Sequence, residues 1–176
     1  MNFHPCWFWE NGVSEPVLNV LEEEIKTLDL KPGELVHGHI DKSIRDSMSD
    51  AFAPHHWFTG VMMNFAFHAN RAAGWQRTLE YPEVTQIAEY GPGQHYKWHT
   101  DTDPFSVAPY ERKVTVICLL TDDFEGGAFE LEHAKAPVLK RGSVLAFPSS
   151  LRHQVAPVTK GLRRSATCWV HGPQKW

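Results

Sequence analysis

Cysteine is scarce in this chain: Cys6, Cys118 and Cys168 are the only three in 176 residues, and no two form a Cys-x-x-Cys motif. An odd, scattered set of this kind points to a reduced, cytosolic compartment, with Cys118 and Cys168 serving as apolar strand residues. Long hydrophobic runs are lacking too, and nothing approaches the length needed to span a bilayer. The start, Met1-Asn2-Phe3-His4-Pro5-Cys6-Trp7, has no basic segment followed by an apolar one, so no secretory signal is expected. Neither sign of charge dominates. A formal net charge of −4 gives no general attraction to nucleic acid or to anionic membranes. No repeat, low-complexity stretch or linker divides the chain, so one soluble domain over residues 1–176 is expected. What is abundant is apolar and aromatic surface, 42% and 12% of residues, which excludes the disordered and fibrous classes.

The two halves read differently. Residues 1–83 look helical and irregular, a support layer with substrate loops. Ser14 can cap a helix from Glu15 to Leu28 with Pro16 in its first turn. Val17, Leu21, Ile25 and Leu28 recur at near-helical spacing, while Glu22, Glu23, Glu24 and Lys26 face solvent. Pro32-Gly33 breaks the chain, and residues 43–52 are polar and ambiguous. Trp7, Trp9, Trp57 and Trp75 are read as packing between this layer and a sheet. In residues 84–176, short β-rich runs alternate with turn residues: 84–90, 95–101, 113–121, 128–133, 143–147, 153–158 and 165–171. Regularly spaced short strands predict a mostly β, α+β domain. Its core would be a double-stranded β-helix (jelly roll), with helices buttressing one sheet and a metal at one open mouth.

The chemistry-bearing residues lie in that second half. His99-Thr100-Asp101 is followed much later by His153 and then Arg163. Residues i and i+2 of a strand share a face, so His99 and Asp101 can converge on one ion. With His153 they make the two-histidine, one-carboxylate set that holds non-haem Fe(II) with coordination positions open. Arg163 is a fixed cation suited to the far end of a dicarboxylate co-substrate. Strand alternation should send Arg163 and Arg164 to opposite faces. Asp103, beside Pro104 in an expected turn, is the nearest competitor as carboxylate ligand. The pairs His37/His39 and His55/His56 lack a carboxylate and third ligand in matching context and are read as surface histidines.

Four segments carry a family resemblance. They are Tyr90-Gly91-Pro92-Gly93-Gln94-His95-Tyr96-Lys97-Trp98-His99-Thr100-Asp101, Arg112-Lys113-Val114-Thr115, Glu125-Gly126-Gly127, and the stretch from His153 through Arg163 to Trp169. In order and register they resemble the Fe(II)/2-oxoglutarate-dependent dioxygenases of the prolyl 4-hydroxylase branch, with weaker similarity at Ile44-Arg45-Asp46-Ser47 and Ala69-Asn70. The resemblance implies an enzyme in which His99, Asp101 and His153 bind iron. Arg163 would pair with the distal carboxylate of 2-oxoglutarate, Tyr90 and Thr115 serving as hydroxyl partners. Tyr96, Arg112 and Trp169 match positions near the substrate, and Arg45 and Ser47 a mobile substrate-covering loop. It further implies dioxygen as co-substrate, ascorbate as reductant, and hydroxylation of a prolyl residue in a peptide or protein with release of succinate and CO2. The chain departs from the collagen-type enzymes, which carry Lys where Arg163 stands here. Ala128 replaces an acidic residue and Leu119 a tyrosine, changes that bear on peptide preference. Two alternatives stay open: an oxygenase acting on a free amino acid, a lysyl residue or an alkylated nucleobase, and a non-catalytic metal-binding jelly roll. Overall acidity argues against the nucleobase, and the carboxylate-seeking Arg163 against a purely structural metal site.

Overall fold

A computed structural model describes residues 3–35, 38–103 and 108–174. His37 and Pro104, named above, lie outside the described residues. In chain order the elements are β1 (Trp7–Trp9), α1 (Glu15–Ile25), β2 (Lys31–Pro32), β3 (Arg45–Asp46), β4 (Met48–Phe52), α2 (Trp57–Ala72), β5 (Tyr81–Tyr90), β6 (His95–His99), β7 (Tyr110–Leu119), β8 (Glu125–Gly126), β9 (Phe129–Leu131), β10 (Val144–Pro148), β11 (His153–Val155), β12 (Val158–Lys160) and β13 (Arg163–Pro173). The larger sheet has the order β1-β10-β7-β13-β5-β4-β2 and the smaller β3-β6-β11-β9, with β12-β8 as a separate ribbon. All the strand pairs are antiparallel. This is the jelly roll expected from the short, regularly punctuated strands.

Strand alternation sorts side chains into two layers. On β7, Val114, Val116 and Cys118 enter the core under the helices, as do Val144 and Ala146 of β10 and Ala166, Cys168 and Val170 of β13. The intervening residues Ile117, Leu145 and Phe147 face the opposite way and meet Phe129, Leu131 and Val155 of the smaller sheet. Arg163, Ser165, Thr167 and Trp169 of β13 line a cavity on this second side. The large sheet is therefore the wall between a dry helical layer and the space where polar groups collect.

The first half departs from its reading as helical and irregular, because β1 to β4 contribute strands to both sheets. Helix α1 stops at Ile25, short of Leu28, because Thr27 and Leu28 donate to the carbonyls of Glu24 and Ile25, three residues back, and close the last turn tightly. Helix α2 was not foreseen. It lacks a Ser, Thr, Asp or Asn cap: the His56 ring accepts from the Phe58 N–H instead. Its buried face, Phe58, Met62, Ala66 and Ala69, nevertheless recurs with helical period. Trp7, Trp9 and Trp75 pack against the helical core. Trp57 does not; it is 39% exposed and its Nε1 donates to the Glu24 carboxylate of α1. No helix among the described residues is long and apolar enough to cross a membrane.

Candidate metal centre and its cavity

His153 and His99 are direct cross-strand partners of β11 and β6, so two imidazoles meet where the small sheet opens. Their ring centroids are 4.2 Å apart. Asp101 lies in the bend just beyond β6 rather than on the strand, and its N–H donates to the Ser149 carbonyl at 2.9 Å. The ligand atoms offered by His99, Asp101 and His153 all lie within 4.8 Å of one another.

Local hydrogen bonds fix which nitrogen each histidine presents. His99 Nδ1 meets the Lys97 carbonyl at 2.7 Å and His153 Nδ1 the Leu151 carbonyl at 2.9 Å. A carbonyl can only accept, so each Nδ1 carries a hydrogen, and in the neutral ring that leaves the lone pair on Nε2. Those Nε2 atoms lie 3.8 and 3.6 Å from the Asp101 carboxylate oxygens. Burial, with His153 beside it, pushes His99 down to about 4. Burial by itself would raise the Asp101 carboxyl, but the His153 and His99 imidazoles and the Thr115 hydrogen bond outweigh it and hold the group below its usual range. The site thus presents two imidazole Nε2 atoms and an anionic oxygen, a donor set that fits Fe(II).

His99, Asp101, His153, Arg163, Tyr90, Thr115, Tyr96, Arg112, Trp169 and Arg45 line one cavity of about 510 Å³, whereas Ser47 does not reach it. Arg163 is the more deeply buried of two buried arginines that line it, 2% exposed against 6% for Arg45, while Arg164 points the other way to Glu89 and Glu22. Arg163 Nε donates to the Gly127 carbonyl and Nη1 to Ser165 Oγ. Its guanidinium carbon is 5.7 Å from the centroid of the buried Tyr90 ring. Burial pulls the group below the usual arginine range, and no carboxylate offsets it among the described residues. Gly127 is required here. It has φ +59, and a Cβ would sit 2.9 Å from Val158 Cγ2 and 3.0 Å from Arg163 Cδ.

The other candidates each have protein partners in or beside the cavity. Thr115, expected beside the co-substrate, gives its hydroxyl hydrogen to Asp101 Oδ2 at 2.7 Å. Tyr96 stacks on the His99 ring with centroids 3.5 Å apart, and burial raises its hydroxyl to about 12. Arg45 is buried and held by Ser47, the Glu34 carbonyl and Gln86. Arg112 makes two 2.7 Å bonds to Glu83 and lies 3.9 Å over the Trp169 ring. His171 adds a third bond to Glu83 at 2.8 Å. Asp103 lines the cavity but is not in the metal-competent group. Among the other histidines, His39 and His55 are exposed, and His56 caps α2. Sequence reading missed Ser149, Glu83 and His171, whose polar groups acquire partners only when distant strands pair, and Ser165, which meets Arg163 two residues away on β13.

Residues 85–171 match the 2OG-Fe(II) oxygenase superfamily. This segment is a 2OG-Fe(II) oxygenase domain. Among curated relatives, a PKHD-type hydroxylase of Picosynechococcus sp. is 35% identical over 93 residues, covering 51% of this chain and 41% of that one. Another, from Gloeothece citriformis, is 39% identical over 89 residues, covering 48% and 40%. The chain spans about two fifths of the length of these relatives. Of solved structures, the viral collagen prolyl hydroxylase of Paramecium Bursaria Chlorella virus-1, in a 2OG complex, superposes with TM-score 0.74 at 21% identity, over 96% of this chain and 97% of that one. A Pseudomonas putida prolyl-4-hydroxylase gives TM-score 0.76 at 19% identity, over 96% and 94%. These two likenesses establish a shared fold.

Proposed function

We propose that the chain is an Fe(II)- and 2-oxoglutarate-dependent dioxygenase that hydroxylates an unactivated C–H bond, with a prolyl residue in a peptide or protein as substrate. Succinate and CO2 would be the co-products. The observation that carries this reading is Arg163: a buried cation without a protein carboxylate, lining the same cavity as a two-histidine, one-carboxylate cluster. An uncompensated buried charge costs several kcal/mol, on the order of that for moving one ion out of water in a folded protein. A site that keeps such a cation is suited to an anionic ligand, and 2-oxoglutarate has a second carboxylate to offer it.

His99, Asp101 and His153 would hold the iron. Bound there with 2-oxoglutarate, it would supply the oxidising power for C–H hydroxylation by dioxygen. The protein's share is positioning. Two Nε2 atoms and one carboxylate oxygen would hold the metal while leaving positions for co-substrate and dioxygen. Arg163 orients the distal carboxylate, and Tyr90, Ile117, Phe129 and Val155 wall the cavity and exclude water. Trp169 Nε1 is buried without a hydrogen-bond partner among the described residues and is available to a substrate carbonyl. The Glu83–Arg112 pair holds the Trp169 ring from behind.

The names of the structural neighbours support a prolyl substrate, and one of them, from Trichoplax adhaerens, is in complex with a peptide fragment. The proposal includes a single catalytic domain, proline-containing peptide partners and a cytoplasmic setting. The deciding experiment is an anaerobic titration of metal-free protein with Fe(II) and then 2-oxoglutarate, read by the weak visible charge-transfer band of the chelate. The band should appear in the wild type and vanish in Arg163→Ala. Iron binding without a band in the wild type would leave a metal-binding jelly roll.

A further inference from the structure

Two hydroxyls meet behind Asp101, Thr115 on β7 and Ser149 just after β10, and both residues are fully buried. Thr115 Oγ1 lies 2.7 Å from Asp101 Oδ2 and 2.9 Å from Ser149 Oγ. A hydroxyl has one hydrogen, and an ionised carboxylate can only accept. Thr115 therefore donates to Asp101, and Ser149 must donate to Thr115. The main chain of Ser149 closes the arrangement: its carbonyl accepts the Asp101 N–H at 2.9 Å, and its N–H donates to the Lys113 carbonyl at 3.1 Å.

This grip matters because Asp101 stands beyond the last residue of β6, where strand pairing does not hold it. A carboxylate there can meet a metal through one oxygen or two. Two oxygens would occupy a coordination position that a chelating co-substrate and dioxygen together require. Thr115 sits in the middle of β7, paired to Phe147 on one side and Trp169 on the other, so its backbone is held by strands on both flanks.

We propose that Thr115 and Ser149 are positioning residues that engage Asp101 Oδ2, keep the carboxylate a one-oxygen ligand and so hold one coordination position open. The proposal rests on reading His99, Asp101 and His153 as metal ligands.

The test uses the full, metal-free chain and Co(II) alone, read by calorimetric affinity and by the ligand-field absorption bands, whose intensity reports coordination number. Wild type should bind one Co(II), and His153→Ala should lose most of that affinity. Thr115→Val, which keeps shape and removes the donor, should weaken Co(II) binding by about 10- to 100-fold, as outer-shell partners of metal ligands generally do. It should also change the band intensity, which a merely structural role would not. Thr115→Ser should restore both, and Ser149→Ala should shift both in the same direction by less. Wild-type affinity and spectrum in Thr115→Val overturn the positioning role and leave the metal site standing. Wild type that binds no Co(II), or binds it regardless of His153→Ala, overturns the metal reading itself. Melting curves of the apo-proteins check folding, and if Thr115→Val does not fold, unchanged binding in Ser149→Ala overturns the proposal.

Discussion

Replacing Arg163 by methionine separates the residue's part in stability from its part in binding. Arg163 is 2% exposed, and of the five N–H hydrogens of a guanidinium two are engaged, by Gly127 and Ser165. The other three belong to a group lining the cavity. Methionine keeps most of the volume and removes a buried cation that has no carboxylate beside it. Exchanging buried charge for apolar volume is often neutral or stabilising by roughly 1–4 kcal/mol. Two hydrogen bonds to neutral acceptors are lost, at about 1.5–3 kcal/mol each, so the gain offsets only part of the loss and about 2 kcal/mol of destabilisation remains. The apo-protein should therefore melt a few degrees below wild type. Binding should suffer heavily, because a ligand carboxylate would enter a buried site with no counter-charge. Breaking a buried pair from one side costs about 3–5 kcal/mol, which is roughly two to three and a half orders of magnitude in Kd. Calorimetric titration of the Fe(II)-loaded variant with 2-oxoglutarate, beside a thermal melt of the apo-protein, measures both. A variant that melts far below wild type while binding 2-oxoglutarate normally would refute the assignment and make Arg163 a structural residue.

Further outcomes follow from particular contacts. Burial would raise Glu83, but bonds from His171 and Arg112 outweigh it and bring it to about 2. Its folded value lies below its unfolded one, so its contribution to stability is present above the ordinary glutamate range and lost as pH falls through that range toward about 2. Urea unfolding should therefore weaken less over that window in Glu83→Gln than in wild type; equal slopes would show the cluster to be inert. Gly127→Ala places a side chain at φ +59 against Val158 and Arg163. Thermal denaturation should show a loss of about 1–2 kcal/mol, with weaker 2-oxoglutarate binding because the Arg163 stem is displaced. Met62→Ala should cost about 2–5 kcal/mol in denaturant unfolding, yet leave Co(II) affinity unchanged, since Met62 lies in the helical core on the other side of the large sheet.

The sequence alone carried the strands of the second half and the four principal candidates of the site. The strands were legible because a period of two survives in any half-buried sheet. His99 and Asp101 were legible because two residues of spacing is a local relation, and Arg163 because alternation separates it from Arg164. Helix α2 was a different case: its buried stripe of Phe58, Met62, Ala66 and Ala69 was present, but no polar cap announced it. The ambiguous stretch before it became β3 and β4, because those polar residues are strands only when β6 and β5 supply partners.

Tertiary structure decided what each polar group does. Thr115 and Asp101 are 14 residues apart, Thr115 and Ser149 34, and Arg163 and Gly127 36. Nothing in the local pattern of either partner encodes the other. The sequence fixes which donors and acceptors exist and which face of a strand they occupy. Which of them meet depends on the register of strands brought together by burying the apolar faces, a property of the whole sheet and of no single segment.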